Sequence, residues 1–62
     1  MAIFKLEIRL DNAAFHDDDG DFSPEMEIIR ILNEVTGHVG FGYSQREVRD
    51  INGNLVGEWR IK

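Results

Sequence analysis

Residues 46–61, REVRDINGNLVGEWRI, predict a β-hairpin. The dipeptide Asn-Gly at its centre is the strongest short turn signal in a sequence. A two-residue turn pairs Ile51 with Asn54 and places four apolar residues on one face: Val48, Leu55, Trp59 and Ile61. A longer turn, with Gly53 left-handed and the Asp50 side chain capping it, shifts that register. We expect the two-residue turn because it gathers more apolar residues.

The segment IFKLEIRL (3–10) predicts the first strand, because its residues alternate between apolar and charged with a period of two. One side carries Phe4, Leu6, Ile8 and Leu10, and the other carries Lys5, Glu7 and Arg9. This strand therefore has one buried face.

A helix is predicted over residues 24–36. Ser23-Pro24 is typical of an N-cap followed by the first helical residue. Apolar residues then recur at helical spacing, at Ile28, Ile31, Leu32 and Val35. Arg30 and Glu34 are four residues apart and can form an ion pair. Gly37 fits the left-handed position that ends many helices.

The segment HVGFGY (38–43) is expected to be extended, with Val39, Phe41 and Tyr43 on one face. If the chain stayed extended to residue 48, Val48 would lie on the opposite face from these three residues. Either a bulge separates the two stretches or the glycine-rich part is a separate loop.

Together these elements predict a single small α+β domain over residues 1–62, in the order β-α-β-β. The helix packs on a three-stranded antiparallel sheet of spatial order 1-3-2. The other face of the sheet is charged and wet, with Lys5, Glu7, Arg9, Glu47, Arg49, Glu58 and Arg60. An exposed edge strand makes a homodimer compatible with this fold.

Composition excludes several classes of site and location. The 62 residues include no cysteine, so disulfides and thiolate metal sites are excluded. No segment reaches the roughly 18 apolar residues that cross a bilayer. The N-terminus lacks a signal-peptide pattern, so we expect a cytoplasmic location and no membrane association.

The net charge of −5 is concentrated in one segment. Residues 11–27 contain no lysine or arginine and seven carboxylates: Asp11, Asp17, Asp18, Asp19, Asp21, Glu25 and Glu27. Such a local field repels DNA and membranes and favours cationic partners. Phe15 and Phe22 are expected to anchor the loop that carries these aspartates.

Three stretches of the chain resemble a group of short phage- and prophage-type proteins of unknown function. They are DNAAF (11–15), SPEMEIIRIL (23–32) and RDINGNLVGEW (49–59), in the same order. The resemblance implies a small α+β domain in a phage or mobile-element setting, which would place it in the host cell. It supplies no catalytic residue, and residues 37–45 share least with the group.

The stretch HDDDGD (16–21) does not match a calcium loop. With Gly20 at the sixth position of an EF-hand, Phe15 and Met26 occupy ligand positions. His16 and His38 lie in no catalytic or zinc motif, and GHVGFGYS lacks the spacing of a phosphate loop. We therefore expect no metal, no cofactor and no catalytic residue. Two interpretations of HDDDGD stay open: a solvated turn that complements the helix dipole, and a patch that binds a partner.

These observations favour a non-enzymatic accessory protein that binds and modulates a host protein with a basic surface, such as a defence or nucleic-acid enzyme. Two other functions are considered. The chain could form an oligomer that binds a charged nucleotide between its subunits, or it could be a self-assembling component of the virion. Direct nucleic-acid binding is not expected, because acidic and basic residues alternate on the sheet. The predicted partner-binding residues are Asp17, Asp18, Asp19, Asp21, Phe41 and Tyr43. For Phe41 and Tyr43 there are two interpretations: they contact a partner, or they pack in the core.

Overall fold

The computed structural model describes all 62 residues and contains five elements. In chain order they are strand β1 (Phe4–Ile8), a 3-10 turn (Ala13–Phe15), helix α1 (Glu25–Gly40), strand β2 (Gln45–Arg49) and strand β3 (Leu55–Ile61). The strands form one antiparallel sheet in the order β1-β3-β2. The predicted α+β fold and strand order are confirmed.

The core lies between α1, the 3-10 turn and one face of the sheet. Its six buried apolar residues are Phe15, Ile31, Val35, Val48, Val56 and Trp59. Helix α1 packs mainly against β2 and the 3-10 turn. The side of the sheet that carries β1 is therefore less covered than the side that carries β2.

The hairpin has the longer turn, so the prediction of a two-residue turn was wrong. Asp50 and Asn54 are joined through the Asp50 N–H and the Asn54 carbonyl at 2.9 Å, and Gly53 has a φ of +87°. Arg49 lies opposite Leu55. The Asp50 carboxylate accepts hydrogen bonds from the turn backbone, which stabilises this form over the tighter one.

A bulge in β3 changes which residues face the core. Val48 lies opposite Gly57 and Arg49 lies opposite Leu55, so Val56 has no partner on β2. The extra residue turns Val56 into the core on the same side as Trp59, whereas Leu55 is half-exposed. Gly57 is required next to this bulge, because a Cβ built on it would overlap the carbonyl of Glu7 in β1.

Helix α1 continues to Gly40, so the predicted end at Gly37 and the extended stretch over residues 38–43 were wrong. The left-handed residue that ends the helix is Gly42, with a φ of +93°. The Gly42 N–H donates to Val39 O and the Tyr43 N–H donates to His38 O. These bonds satisfy carbonyls of the last turn, which is the ordinary requirement of a helix C-terminus.

The start of α1 also differs from the prediction. The helix begins at Glu25, and Ser23 makes no capping bond to the backbone. Its hydroxyl instead donates to the Glu25 carboxylate at 3.3 Å. Glu25 and Glu27 lie in the first turn, where negative charge complements the helix dipole.

Candidate interaction surfaces

The first candidate surface is the acidic turn, defined as residues 17–21 (DDDGD). One carboxylate oxygen of Asp17 accepts hydrogen bonds from the N–H groups of Asp19 and Asp21, both at 3.0 Å. The Gly20 N–H donates to Asp17 O, and Gly20 has a φ of +84°. Asp17 therefore holds the turn together, which leaves Asp18, Asp19 and Asp21 to face outward.

The same arrangement occurs in the hairpin turn, defined as residues 50–54 (DINGN). One oxygen of Asp50 accepts from the N–H groups of Asn52 and Asn54, both at 2.9 Å. The Gly53 N–H donates to Asp50 O. The two turns share the pattern Asp-x-x-Gly followed by Asp or Asn, so this pattern specifies the shape of the acidic turn locally.

The surroundings of the two turns differ. Asp50 is buried, and its second carboxylate oxygen accepts hydrogen bonds from the side-chain amides of Asn12 and Asn54. Asp17 is exposed, and Asp21 occupies the position equivalent to Asn54. A carboxylate at position 21 cannot donate a hydrogen bond back to Asp17. The acidic turn therefore keeps its charge on the surface.

The base of the acidic turn is held by a short pair of extended residues. His16 and Phe22 form an isolated antiparallel bridge, and their rings meet edge to face at 5.6 Å. The His16 ring donates from Nδ1 to Asn12 O at 3.0 Å. Phe15 is fully buried, which confirms it as an anchor. Phe22 is 60% exposed, so its predicted burial was wrong; it packs on His16 at the surface.

The charge of the acidic turn is uncompensated. The three ion pairs of the chain join Arg30 to Glu27, Arg30 to Glu34 and Arg49 to Glu47. None involves an aspartate. No three His, Asp or Glu side chains are placed to hold a metal ion.

The second candidate surface is the helix C-terminal corner, defined as residues 41–43 (FGY). Phe41 is 87% exposed, and Tyr43 is about half-exposed. The Arg46 guanidinium lies 4.5 Å from the centre of the Tyr43 ring, and the His38 ring meets the same ring edge to face at 5.8 Å. Tyr43 is thus held between two neighbours, whereas Phe41 projects freely.

The two candidate surfaces lie at opposite ends of α1. Its 16 residues span about 24 Å at the usual helical rise. Aspartates 17, 18, 19 and 21 are on one side of that span, and Phe41 and Tyr43 are on the other. The predicted site residues therefore form two separate surfaces.

Glu27 is a buried carboxylate whose role was not predicted from the sequence. Its carboxylate accepts two hydrogen bonds from the Arg30 guanidinium, at 2.8 and 3.0 Å, and one from the Ile51 N–H at 2.8 Å. The hydrogen bond with Glu27 is the main cause that raises the pKa of Arg30. The spacing of Glu27, Ile31 and Val35, each four residues apart on the core-facing stripe, is the signal that could have indicated its burial.

Asp50 is the other buried carboxylate. Burial works to raise the pKa of its carboxyl group, but hydrogen bonds from Asn54, Asn12 and Asn52 together outweigh burial, and the pKa lies below the ordinary value of 3.8. Asp50 and Glu27 both bind the hairpin turn, one from within it and one from α1. These carboxylates serve the fold and do not face an open cleft.

The depressions of the surface are open and charged. The largest, of about 480 Å³, lies on the charged face of the sheet and is lined by Phe4, Lys5, Leu6, Glu7, Glu58 and Arg60.

Helix α1 is neither long nor apolar enough to cross a bilayer. Comparison with protein-family models, curated proteins and solved structures found no match to this chain.

Proposed function

We propose that this chain is a non-enzymatic accessory protein of phage or prophage type that binds and modulates a host protein. The acidic turn is the contact that defines the interaction. The observation that carries the proposal is its construction: Asp17 fixes the backbone of the turn, while Asp18, Asp19 and Asp21 stay exposed and form no ion pair. A charged group held in a defined shape loses little conformational freedom on binding, which favours specific contact.

The expected partner has a basic surface, such as the nucleic-acid groove of a host defence or nucleic-acid enzyme. Exposed carboxylates on one compact turn complement a local cluster of arginine or lysine residues. A mimic of duplex DNA would instead need charge spread along a face. We therefore propose a local docking contact, made in the host cytoplasm. The phage setting rests on the resemblance of residues 11–15, 23–32 and 49–59.

Phe41 and Tyr43 form a second contact in this proposal. An exposed aromatic residue is a common centre of binding energy at interfaces. Since this corner lies about 24 Å from the acidic turn along α1, it would contact a different part of the partner. Its removal should weaken binding without changing the salt dependence that the acidic turn causes.

Charge reversal of the acidic turn tests the proposal. The double variant Asp18→Lys/Asp19→Lys keeps the backbone bonds of the turn, because neither side chain accepts a hydrogen bond within it. Affinity capture from host lysate with the unmodified chain should recover a basic protein, and the double variant should lose it. Capture should also weaken from 50 to 200 mM salt, roughly the range in which such contacts are screened.

The matched control is Glu47→Lys/Glu58→Lys, which changes the net charge equally on the charged face of the sheet. Both side chains are exposed. Glu47→Lys removes the surface ion pair with Arg49, so circular dichroism checks that this control folds. We expect this control to recover the same protein as the unmodified chain. The proposal fails if no protein is recovered, or if both double variants lose the partner equally.

A further inference from the structure

The outer edge of β1 carries unpaired backbone groups. β1 has a neighbour on one side only, namely β3. Ile3 and Lys62 exchange both of their backbone hydrogen bonds, and the Arg9 N–H donates to Val56 O. Since the direction of these groups alternates along an antiparallel strand, Phe4, Leu6 and Ile8 direct their N–H and C=O groups outward. This edge can pair with another strand.

The side chains at the same edge are apolar and incompletely covered. Phe4 is 50% exposed and stacks on Trp59 with ring centres 5.7 Å apart. Leu6 and Ile8 are only partly buried, because α1 packs against β2. An open edge flanked by apolar side chains is a template for strand pairing.

The outer edge of β2 is different. The exposed side chains of β2 are Gln45, Arg46, Glu47 and Arg49, all polar. The Arg49 carbonyl accepts a hydrogen bond from Arg30 at 3.0 Å, and the Arg49 guanidinium bonds to Glu47 and to Gly53 O. At this edge the Arg49 carbonyl is already bonded and the flanking side chains are polar, so β1 is the edge better suited to pairing through apolar contacts.

Charges on the open face of the sheet lie in two rows that cross the strands. The acidic row contains Glu7, Glu58 and Glu47, each opposite the next. The neighbouring basic row contains Lys5 and Arg60, followed by Gln45. Like charges that lie directly opposite each other destabilise a sheet. Each row therefore favours a neighbour of opposite charge at its β1 end.

We propose that a second copy of this chain pairs with β1 in antiparallel orientation, about a two-fold axis at Leu6, to form a six-stranded sheet. Phe4 then lies opposite Ile8 of the second copy, and Lys5 lies opposite Glu7. The acidic row of each copy continues into the basic row of the other. This inference does not depend on the proposed function, because the acidic turn takes no part in it.

Charge distinguishes this register from the two adjacent registers that the backbone allows. Moving the axis to residue 5 places Lys5 opposite Lys5 of the second copy. Moving it to residue 7 places Glu7 opposite Glu7. The axis at Leu6 pairs each lysine with a glutamate, twice per dimer. An axis at Ile8 would also pair opposite charges, Glu7 with Arg9, but Arg9 lies outside β1 and its guanidinium donates to Leu55 O at 3.3 Å.

The chain exposes more surface than a compact monomer of its mass, and it is both elongated and open at the β1 edge. The accessible surface is 4653 Å² for a mass of 7.1 kDa. A monomer of that mass exposes roughly 4,100 Å². The excess, roughly 550 Å², is somewhat below the ~800 Å² that each partner buries in a standard interface.

Single charge reversals test the pairing. Lys5→Glu places like charges across the axis, and Glu7→Lys does the same with the opposite sign. Within one copy each reversal faces a residue of opposite charge, Arg60 or Glu58, so the fold is not expected to suffer. Sedimentation velocity over a concentration series should show a dimer for the unmodified chain. For each variant the dissociation constant should rise about tenfold or more.

An equimolar mixture of the two variants provides the decisive control. A heterodimer of Lys5→Glu with Glu7→Lys has glutamate opposite lysine at both positions, so mixing should restore the dimer. A chain that stays monomeric up to about 1 mM overturns the proposal and leaves the β1 edge to a strand of another protein. Self-association that neither reversal weakens also overturns it.

A cross-link checks the register independently. The chain has no cysteine, so single cysteines report only the contact in question. At the proposed register residues 5 and 7 of the two copies have Cα atoms about 4.5 Å apart, within disulfide range. Oxidation of a mixture of Lys5→Cys and Glu7→Cys should give the mixed disulfide. This register is contradicted if the homodisulfide of Lys5→Cys or of Glu7→Cys forms in the same amount as the mixed disulfide.

Discussion

At the residue scale, Asp17 and Asp50 perform the same backbone function with different consequences. Each accepts two N–H groups of its own turn through one oxygen. Asp50 uses its second oxygen as well, for the amides of Asn12 and Asn54. It therefore ties the hairpin to the segment that follows β1, whereas Asp17 stabilises only its own turn.

Replacing Asp50 should consequently destabilise the chain more than replacing Asp17. Asp50→Ala leaves the N–H groups of the hairpin turn and the Asn12 amide without this acceptor in partly buried positions, and such groups are costly to leave unpaired. Asp17→Ala exposes the equivalent groups to water. We expect the midpoint of thermal unfolding to fall clearly for Asp50→Ala and only slightly for Asp17→Ala, measured by circular dichroism. Equal decreases would contradict the role given to the second oxygen.

The lowered pKa of Asp50 also predicts a pH dependence. A carboxyl group whose pKa is lower in the folded chain than in the unfolded chain stabilises the fold at pH values above its ordinary pKa of 3.8. This stabilisation is lost as the pH falls through the pKa of the folded chain. The difference in unfolding midpoint between the unmodified chain and Asp50→Asn should therefore be constant from pH 7 to about 5 and shrink below pH 4, since Asn does not titrate. A difference that grows with acidity would contradict the pKa direction.

At the element scale, helix α1 is longer than its apolar stripe indicates. The stripe ends near Val35, and Gly37 offers a stop signal, yet the helix continues to Gly40. The left-handed conformation that ends it is taken by Gly42. Several glycines lie near the end of α1. The helix ends at the glycine that allows the carbonyls of the last turn to accept hydrogen bonds.

Alanine substitutions at Gly37 and Gly42 should have opposite effects. Gly37 is helical and exposed, and a Cβ built there meets no atom within 4 Å. Gly37→Ala should stabilise the chain by about 0.5–1 kcal/mol. Gly42 has a φ of +93°, so Gly42→Ala should destabilise it by about 1–2 kcal/mol. Urea unfolding measures both, and a destabilising Gly37→Ala would indicate a helix that ends where the sequence predicted.

At the scale of the whole molecule, the chain has a small core and a large surface. Six apolar residues are buried, and the molecule is elongated, with extents of 43 × 20 × 17 Å. A single copy of a domain this small has a narrow stability margin. Pairing through β1 would extend the sheet and add backbone hydrogen bonds to this margin.

Thermal stability should therefore depend on protein concentration. A dimer that forms only from folded chains raises the midpoint of unfolding as concentration increases. We expect this increase for the unmodified chain in differential scanning calorimetry between about 10 and 500 μM, a range that spans ordinary dimer affinities. Lys5→Glu should show a midpoint that barely changes. A concentration-independent midpoint in the unmodified chain would argue against the dimer.

Local patterns in the sequence suffice to predict the three strands, the helix and their order along the chain. The alternation of residues 3–10 and the helical stripe from Ile28 to Val35 depend on local periodicity, which is written in adjacent residues. The charged face of the sheet follows from the same alternation. The acidic turn is also local, because the carboxylate of Asp17 reaches only its own backbone.

The folded structure was needed to establish the register of the hairpin, the residues that β3 buries and the exposure of Phe22. The Ile51 N–H is bound by Glu27 of α1, and Asp50 is bound by Asn12 beyond β1. These contacts join parts of the chain that are 24 and 38 residues apart. The apolar pattern alone favoured Leu55 over Val56, but buried polar groups need partners, and the hydrogen bonds to Glu27 and Asp50 are made with the longer turn and its bulge.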